Sequence, residues 1–303
     1  MTRIDIAVCT FRREALSETL ASLARLTVPQ GVQLRAIVAD NDVEPSARAR
    51  VAEAQLPMDI AYVHCPAGNI SIARNACLDH ADADFIAFVD DDETVEPQWL
   101  DRLLAEAEKS GADVVLGPVR AVYAADAPSW MRRGDFHSTL PVWVGGEIRT
   151  GYTCNVLMRL AAPSLAGRRF DLALGRSGGE DTAFFDAVHA GGGRIAFAEE
   201  AWVQEPVPAN RARFAWLAQR RLRMGQTHGR LLAERHEGLA RLTAAALAAA
   251  KCAICFAGAA ALVLLPVRRN RFVLRGLLHA GAVGGLFGAR AIEPYGTVEA
   301  TAR

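Results

Sequence analysis

Short apolar runs alternate with helical stripes along the first two hundred residues. Residues 4–9 alternate apolar and small side chains and predict a strand. Leu16, Leu20 and Leu23 then fall at i, i+4 and i+7, one face of a helix. Residues 34–39 predict a second strand that ends in Asp40-Asn41-Asp42, residues 60–64 a third and residues 85–89 a fourth. Helices are predicted over 46–55 and 71–80, and another begins near Pro97. Residues 113–116, 195–197 and 202–203 predict further strands, and 151–158 run from polar to apolar as a strand entry does. Such alternation predicts an α/β fold with a mostly parallel sheet. Residues 124–150, with Trp130 and Trp143, show little periodicity, as binding loops do.

The pattern changes towards the C-terminus. Residues 211–223 are basic and aromatic. They predict either a solvated helix face over a stripe of Phe214, Leu217 and Leu222, or arginines that clamp phosphate. Residues 242–265 carry a single charge, Lys251, before Pro266 and the arginines 268, 269 and 271. A second apolar, Gly-rich stretch covers 276–289. About 20 apolar residues suffice to cross a bilayer, so this region is expected to associate with a membrane, the other reading of its Ala-rich run being a buried helical pair. Lys251 must then snorkel or face protein. Spanning, hairpin and interfacial arrangements all remain open, and the arginines are expected on the cytoplasmic side.

Composition narrows the classes. The 303 residues suffice for one large domain or two. Lys+Arg and Asp+Glu both number 34, a balance that argues against a general nucleic-acid binder. The start Met1-Thr-Arg-Ile-Asp lacks the apolar core of a secretory signal. Cys252 and Cys255 form C-x-x-C inside an Ala-rich run with no nearby His, which favours packing cysteines over a zinc or redox pair. A reducing, cytosolic setting is expected for the soluble part.

The fourth strand ends abruptly in Asp90-Asp91-Asp92-Glu93. Like charges placed together repel, and a bound cation would supply a reason for them. Mg²⁺ or Mn²⁺ suits such oxygens and shares them with phosphates. In open α/β sheets ligands bind beyond the carboxyl ends of strands. The other reading is a solvated acidic turn. Thr10, Asp40 and Asp90 each follow an apolar strand, so a parallel sheet brings them to one edge. There they either hold a ribose and a nucleobase or serve as turn and cap residues. No Gly-rich phosphate loop of the dinucleotide or P-loop kind is present. A second acidic cluster, Gly178-Gly179-Glu180-Asp181, opens a helix. Its acids either suit the helix dipole or aim a general base at a cleft.

Five segments in order resemble glycosyltransferase family 2, the inverting enzymes of the GT-A fold. They are Val8-Cys9-Thr10-Phe11-Arg12-Arg13, Val38-Ala39-Asp40-Asn41, Asn69-Ile70-Ser71-Ile72-Ala73-Arg74-Asn75, Phe88-Val89-Asp90-Asp91-Asp92-Glu93 and Gly178-Gly179-Glu180-Asp181-Thr182. The chain is especially similar to bacterial exopolysaccharide glucosyltransferases of the succinoglycan type. The resemblance covers roughly residues 3–225 and implies roles. Asp181 would be the catalytic base. Asp92 would bind Mg²⁺ or Mn²⁺. Asp90 and Asp91 would contact the donor nucleotide, Thr10, Arg12 and Asp40 its uridine end, and Arg74 the nucleotide-sugar. Asn155, Glu180, Arg220, Arg221 and Arg223 are candidates for acceptor or phosphate contacts. Processive members carry Gln-x-x-Arg-Trp; here the helix reads Gln219-Arg220-Arg221-Leu222-Arg223, which favours transfer of a single sugar.

The expected organisation is a GT-A domain over 1–210 and C-terminal helices over 211–303. The expected partners are a UDP-sugar donor, a lipid-linked saccharide acceptor and the bacterial inner membrane, with the catalytic domain facing the cytoplasm. Two rivals stand beside this. A sugar-1-phosphate nucleotidyltransferase would show a Gly-rich loop after the first strand, and Thr10-Phe11-Arg12-Arg13 has no glycine. A non-catalytic membrane-bound nucleotide-sugar-binding protein would bind donor without transferring it.

Overall fold

A computed structural model describes residues 1–289. Its residues fall into two compact units. One holds Met1–Ala121 and Ser138–Pro206; the other holds Val122–His137 and residues 207–289.

The first unit is built on a seven-stranded sheet. Its strands are β1 (Thr2–Thr10), β2 (Val32–Asp40), β3 (Asp59–His64), β4 (Phe85–Asp90), β6 (Val114–Leu116), β10 (Asn155–Arg159) and β11 (Ile195–Phe197). The order is β11-β6-β10-β4-β1-β2-β3. β1 pairs in parallel with β2 and β4, as β2 does with β3 and β11 with β6. Only β10 runs against its neighbours β4 and β6. A small second sheet joins β5 (Thr94–Val95), β12 (Val203–Val207) and β7 (Val119–Tyr123). β8 (Trp143–Val144) and β9 (Glu147–Ile148) form a hairpin within the segment that the sequence leaves irregular.

Strand alternation sorts the core into two layers. Ile4, Ile6 and Val8 of β1 join Leu34, Val38, Phe85, Ala87 and Val89 in one layer. That layer takes in Leu16, Leu20 and Leu23 of α1 (Leu16–Leu23), Val51 of α2 (Arg48–Glu53) and the apolar face of α4 (Trp99–Ser110). Ala7, Ile37, Ile86, Phe88 and Met158 face the other way. They pack with Ala73 and Cys77 of α3 (Ile70–His80) and Phe184, Phe185 and Val188 of α6 (Glu180–Ala190). Register aligns Thr10 with Asp40, and Cys9 with Asp90, so the three strand ends lie on one edge.

The second unit contains α5 (Ser129–Gly134), α7 (Phe214–Arg235), α8 (Gly238–Ala261) and α9 (Pro266–Leu286). Met131, Phe136, Leu217 and Leu274 form its small core. Gly225 and Gly229 of α7 lie directly on the α9 backbone, and Gly281 and Gly285 of α9 lie on α7, where a Cβ would meet carbonyl oxygens. Two G-x-x-x-G faces thus let the helices meet backbone to backbone. The helix expected over 242–265 starts and stops earlier than hydropathy alone indicates, at Gly238 and Ala261. The stretch 276–289 runs through the C-terminal half of α9 and three residues past its end at Leu286, and the helix already starts at Pro266, a residue favoured at the first helical position. All six cysteines are free thiols.

Candidate active site

The carboxyl edge of the sheet collects the acidic residues. Asp91 and Glu93 are buried, while Asp90 and Asp92 are half-buried. Arg13 lies between two of them, with Nε 3.8 Å from Asp91 Oδ1 and an Nη 3.5 Å from Asp92 Oδ2. Burial and the Asp92 charge push the Asp91 carboxyl up to about 7, against the pull of Thr10 and Arg13. Glu93 accepts the Asp90 N–H at 3.0 Å through one oxygen; its other oxygen is buried without a hydrogen-bond partner. Burial, with Asp90 and Glu205 beside it, holds this carboxyl far above the usual range.

These residues fit a divalent cation. Asp90, Glu93 and Cys154 bring ligand atoms within 4.8 Å of one another. Asp91 and Asp92 share a single guanidinium at ion-pair distance. A hard cation such as Mg²⁺ or Mn²⁺ would take the carboxylates rather than the Cys154 thiol, whose burial raises its pKa well above the ordinary value.

The second acidic cluster arrives through a clamp. Asn69 caps α3 by accepting the N–H groups of Ser71 and Ile72, and it donates to the Leu172 carbonyl at 2.9 Å. Ser71 donates to the Asp171 carbonyl at 2.7 Å. Asn75 donates to the Phe170 carbonyl at 2.9 Å and accepts its N–H at 2.8 Å. The polar residues of the segment 69–75 therefore hold segment 170–175 against α3. Gly178 and Gly179 follow at φ 79° and 94°, left-handed values that suit glycine, and they turn the chain into α6.

Glu180 is then buried in an ion pair with Arg74 of α3, and its second oxygen has no partner. Arg74 also lies over the Phe170 ring, 5.6 Å from its centroid. Arg74 is buried, and the Glu180 charge first, then those of Asp90 and Asp181, favour its cationic form against burial. Asp181 is half-buried and accepts the Thr182 N–H at 2.6 Å. Burial and the Glu180 charge push its carboxyl up to about 6, and Arg74 opposes them.

At the far strand ends the expected residues take unlike positions. Arg12 is exposed, at φ 54°, and donates Nε to both Asp42 oxygens at 2.9 and 2.8 Å. That bond holds the Asp42 carboxyl below its ordinary value. Thr10 is buried. Asp40 is fully enclosed and accepts from Tyr62 Oη at 2.8 Å and from the N–H groups of Ala47 and Asp42 at 2.8 and 3.1 Å. Three of roughly four acceptor positions on the carboxylate are taken within the fold, and the group has no exposed surface.

Asn155 needs correction as an acceptor or phosphate contact. Its oxygen accepts Trp99 Nε1 at 2.8 Å, and its amide donates to the carbonyls of Pro118 and Ala201 at 2.9 and 2.7 Å. Fully buried and fully engaged, it is a bolt between β10 and its neighbours. Arg220, Arg221 and Arg223 belong to α7 in the second unit, where Arg220 lies 5.3 Å from the Trp216 ring centroid. Arg13, Glu93 and Cys154 carry no role in the sequence reading, although the first two sit inside its motifs. Cys154 is brought in by the strand entry before β10, which no spacing rule marks.

The chain belongs to glycosyl transferase family 2, whose model matches residues 5–171. Over 300 residues it is 61% identical to the succinoglycan biosynthesis protein ExoM of Rhizobium meliloti (strain 1021), covering 98% of this chain and 97% of that protein. It is 25% identical over 238 residues to a glucosyl-dolichyl phosphate glucuronosyltransferase of Haloferax volcanii, covering 71% of this chain and 72% of that one. Among solved structures, S. aureus TarS 1–349 matches with a TM-score of 0.53 at 18% identity, covering 95% of this chain and 89% of that one. Its complex with UDP-GlcNAc matches equally, with a TM-score of 0.53. At that identity these matches show the shared GT-A-like fold.

Proposed function

We propose that this protein transfers one sugar from a UDP-sugar to a lipid-linked or polysaccharide-precursor acceptor during assembly of a succinoglycan-type exopolysaccharide. Transfer inverts the anomeric centre and takes place at the cytoplasmic face of the inner membrane. The observation that supports this most is the buried ion pair that ties Glu180, at the head of α6, to Arg74 of α3 and so seats the turn carrying Asp181 against α3. The length and identity of the match to ExoM add the pathway.

The residues divide the work. Asp181 accepts the proton of the attacking acceptor hydroxyl, and a carboxyl near 6 suits a base that works around neutrality. Arg74 and Glu180 fix the first turn of α6 and so aim Asp181. Asp92 would hold the divalent cation, and Asp90 and Asp91 contact the donor nucleotide. When bound, that cation supplies charge neutralisation for the departing diphosphate. Thr10, Arg12 and Asp40 hold the nucleoside end on the sheet edge. Gln219-Arg220-Arg221-Leu222-Arg223, without the Trp of processive enzymes, fits release after one transfer. α8, 24 residues long and holding an 18-residue window of mean hydropathy 1.8, is the membrane-associating element.

A screen of nucleotide sugars for calorimetric binding and slow hydrolysis, with Mn²⁺ and after chelation, tests this. A UDP-sugar should bind and hydrolyse only with metal. Asp92→Asn should weaken donor binding, and raised Mn²⁺ should partly restore it by mass action. Metal-independent turnover, or binding without any hydrolysis or transfer, would overturn the assignment.

A further inference from the structure

The described residues of α8, the loop after it and α9 give the membrane reading a geometry. Residues 238–286 contain six Lys and Arg and no Asp or Glu, although the whole chain is neutral. On α8 the face turned to α9 is made of small residues, Ala245, Ala248, Cys255 and Ala259. Gly258 of α8 lies on the Phe272 ring of α9, and Gly276 of α9 lies on the Phe256 ring of α8. The remaining surface of α8 is apolar and exposed, with Leu247 at 55% and Ile254 at 67%. The connecting loop is apolar too, and Leu264 is 88% exposed.

α9 carries the charge. Arg268, Arg271, Arg275 and His279 fall at i, i+3, i+7 and i+11, one side of the helix, and the three arginines are exposed. Arg271 donates to the Gly134 carbonyl. Lys251 of α8, Arg275 and His228 of α7 all act on His279; burial first, then these cations, hold its pKa below the ordinary value.

Crossing a bilayer would put Lys251, near the middle of α8, together with Arg271 and Arg275 of the adjoining helix into hydrocarbon, where cations are costly. Lying flat avoids this. It buries the apolar side of α8 and leaves the α9 row at headgroup depth, with side chains long enough to snorkel.

We infer that α8 and α9 lie in the plane of an anionic bilayer, α8 against the hydrocarbon and the Arg268–Arg271–Arg275 row against the lipid phosphates. This rests on the membrane association proposed above. The test uses full-length protein in mild detergent, mixed with vesicles of phosphatidylcholine alone or with phosphatidylglycerol and floated after detergent removal. Binding should be stronger to the anionic vesicles and should weaken in high salt, which screens exposed charge. Arg268→Gln/Arg275→Gln, which changes the two row members that do not brace α5, should lower anionic partitioning by about thirty-fold, roughly five-fold per arginine. It should leave neutral-vesicle binding and UDP-sugar binding unchanged. Alkaline carbonate should strip the wild type from the vesicles. Equal binding to both vesicle types, indifferent to the substitutions, would overturn the inference. Resistance to carbonate would overturn it in favour of spanning while membrane association stands. Flotation with neither vesicle would overturn both.

Discussion

The two ends of β1 each hold buried carboxylates in opposite circumstances. Asp5 accepts Arg35 Nε and Nη2 at 2.8 Å each and the Asp82 N–H at 3.0 Å. Arg35 is its partner across the β1–β2 pairing. About 16 Å further along the strand, near Thr10, the carboxylates face one another. There Asp91 is pushed up to about 7, and Glu93 is raised well above its usual range with one oxygen unpartnered. An acid surrounded by donors fastens strands. Acids gathered without enough donors oppose folding and are ready for a cation or a proton. Acid content therefore does not locate a site in this chain, whereas missing partners do.

The largest expected effect lies at the carboxyl edge of the sheet. Asp181→Asn removes the proposed base but keeps the side-chain shape and the acceptor for the Thr182 N–H. Transfer should fall by about 10²–10⁴-fold, roughly 3–5 kcal/mol of barrier, with donor binding near wild type. The base must be ionised to act, and its pKa is raised to about 6. Wild-type kcat/KM should therefore fall about tenfold per unit as pH drops below 6 and level off above it. The residual rate of Asp181→Asn should lack that limb. A thermal scan at pH 8 should place the variant above the wild type, because it no longer ionises a half-buried acid. Wild-type turnover in Asp181→Asn would reduce the residue to a helix-opening acid.

The paired end should respond in stability alone. Asp5→Ala strips Arg35 of two hydrogen bonds and leaves the Asp82 N–H without its acceptor. Arg35 is partly exposed and keeps Asp82 and the His80 carbonyl, which limits the loss to about 2 kcal/mol. Urea unfolding should report that loss, while kcat at a temperature where both proteins are folded should not change. A fall in kcat without a fall in stability would mean that the two ends are coupled, and the contrast between them would not hold.

What the sequence discloses follows from the range of the forces involved. Alternation and the 3.6-residue period are local, so the seven strands of the main sheet, α3, α6 and the shared edge of Thr10, Asp40 and Asp90 are visible in it. The engagement of Asp40 by Tyr62 and Ala47 depends on contacts across the fold. So does the locking of Asn155 by Trp99, Pro118 and Ala201. Side chains that look free in a motif are thereby occupied. Arg74 shows the converse: its motif is legible, but its pairing with Glu180, 106 positions away, is not. Hydropathy likewise detects only the second half of α9, since the arginines after Pro266 mask the start of that helix.

The smallest effect sharpens the comparison most, because it separates burial from pairing. Glu93 is as buried as Asp5, at 1% against 2% exposure. If burial alone made a carboxylate stabilising, Glu93→Gln would cost as much as Asp5→Ala. The raised pKa of Glu93 argues otherwise. A folded-state pKa above the unfolded value means that the folded protein keeps a proton the unfolded chain releases. The contribution of Glu93 is then fully present below the unfolded pKa and is lost as pH rises towards the folded one. Glutamine keeps an acceptor for the Asp90 N–H and has no proton to lose. Glu93→Gln should therefore lie within about 1 kcal/mol of wild type at pH 5 and gain on it as pH rises to 8. Urea unfolding of both proteins at the two pH values measures this directly. A loss comparable to that of Asp5→Ala at both values would show that Glu93 has a strong donor partner and belongs with the fastening acids.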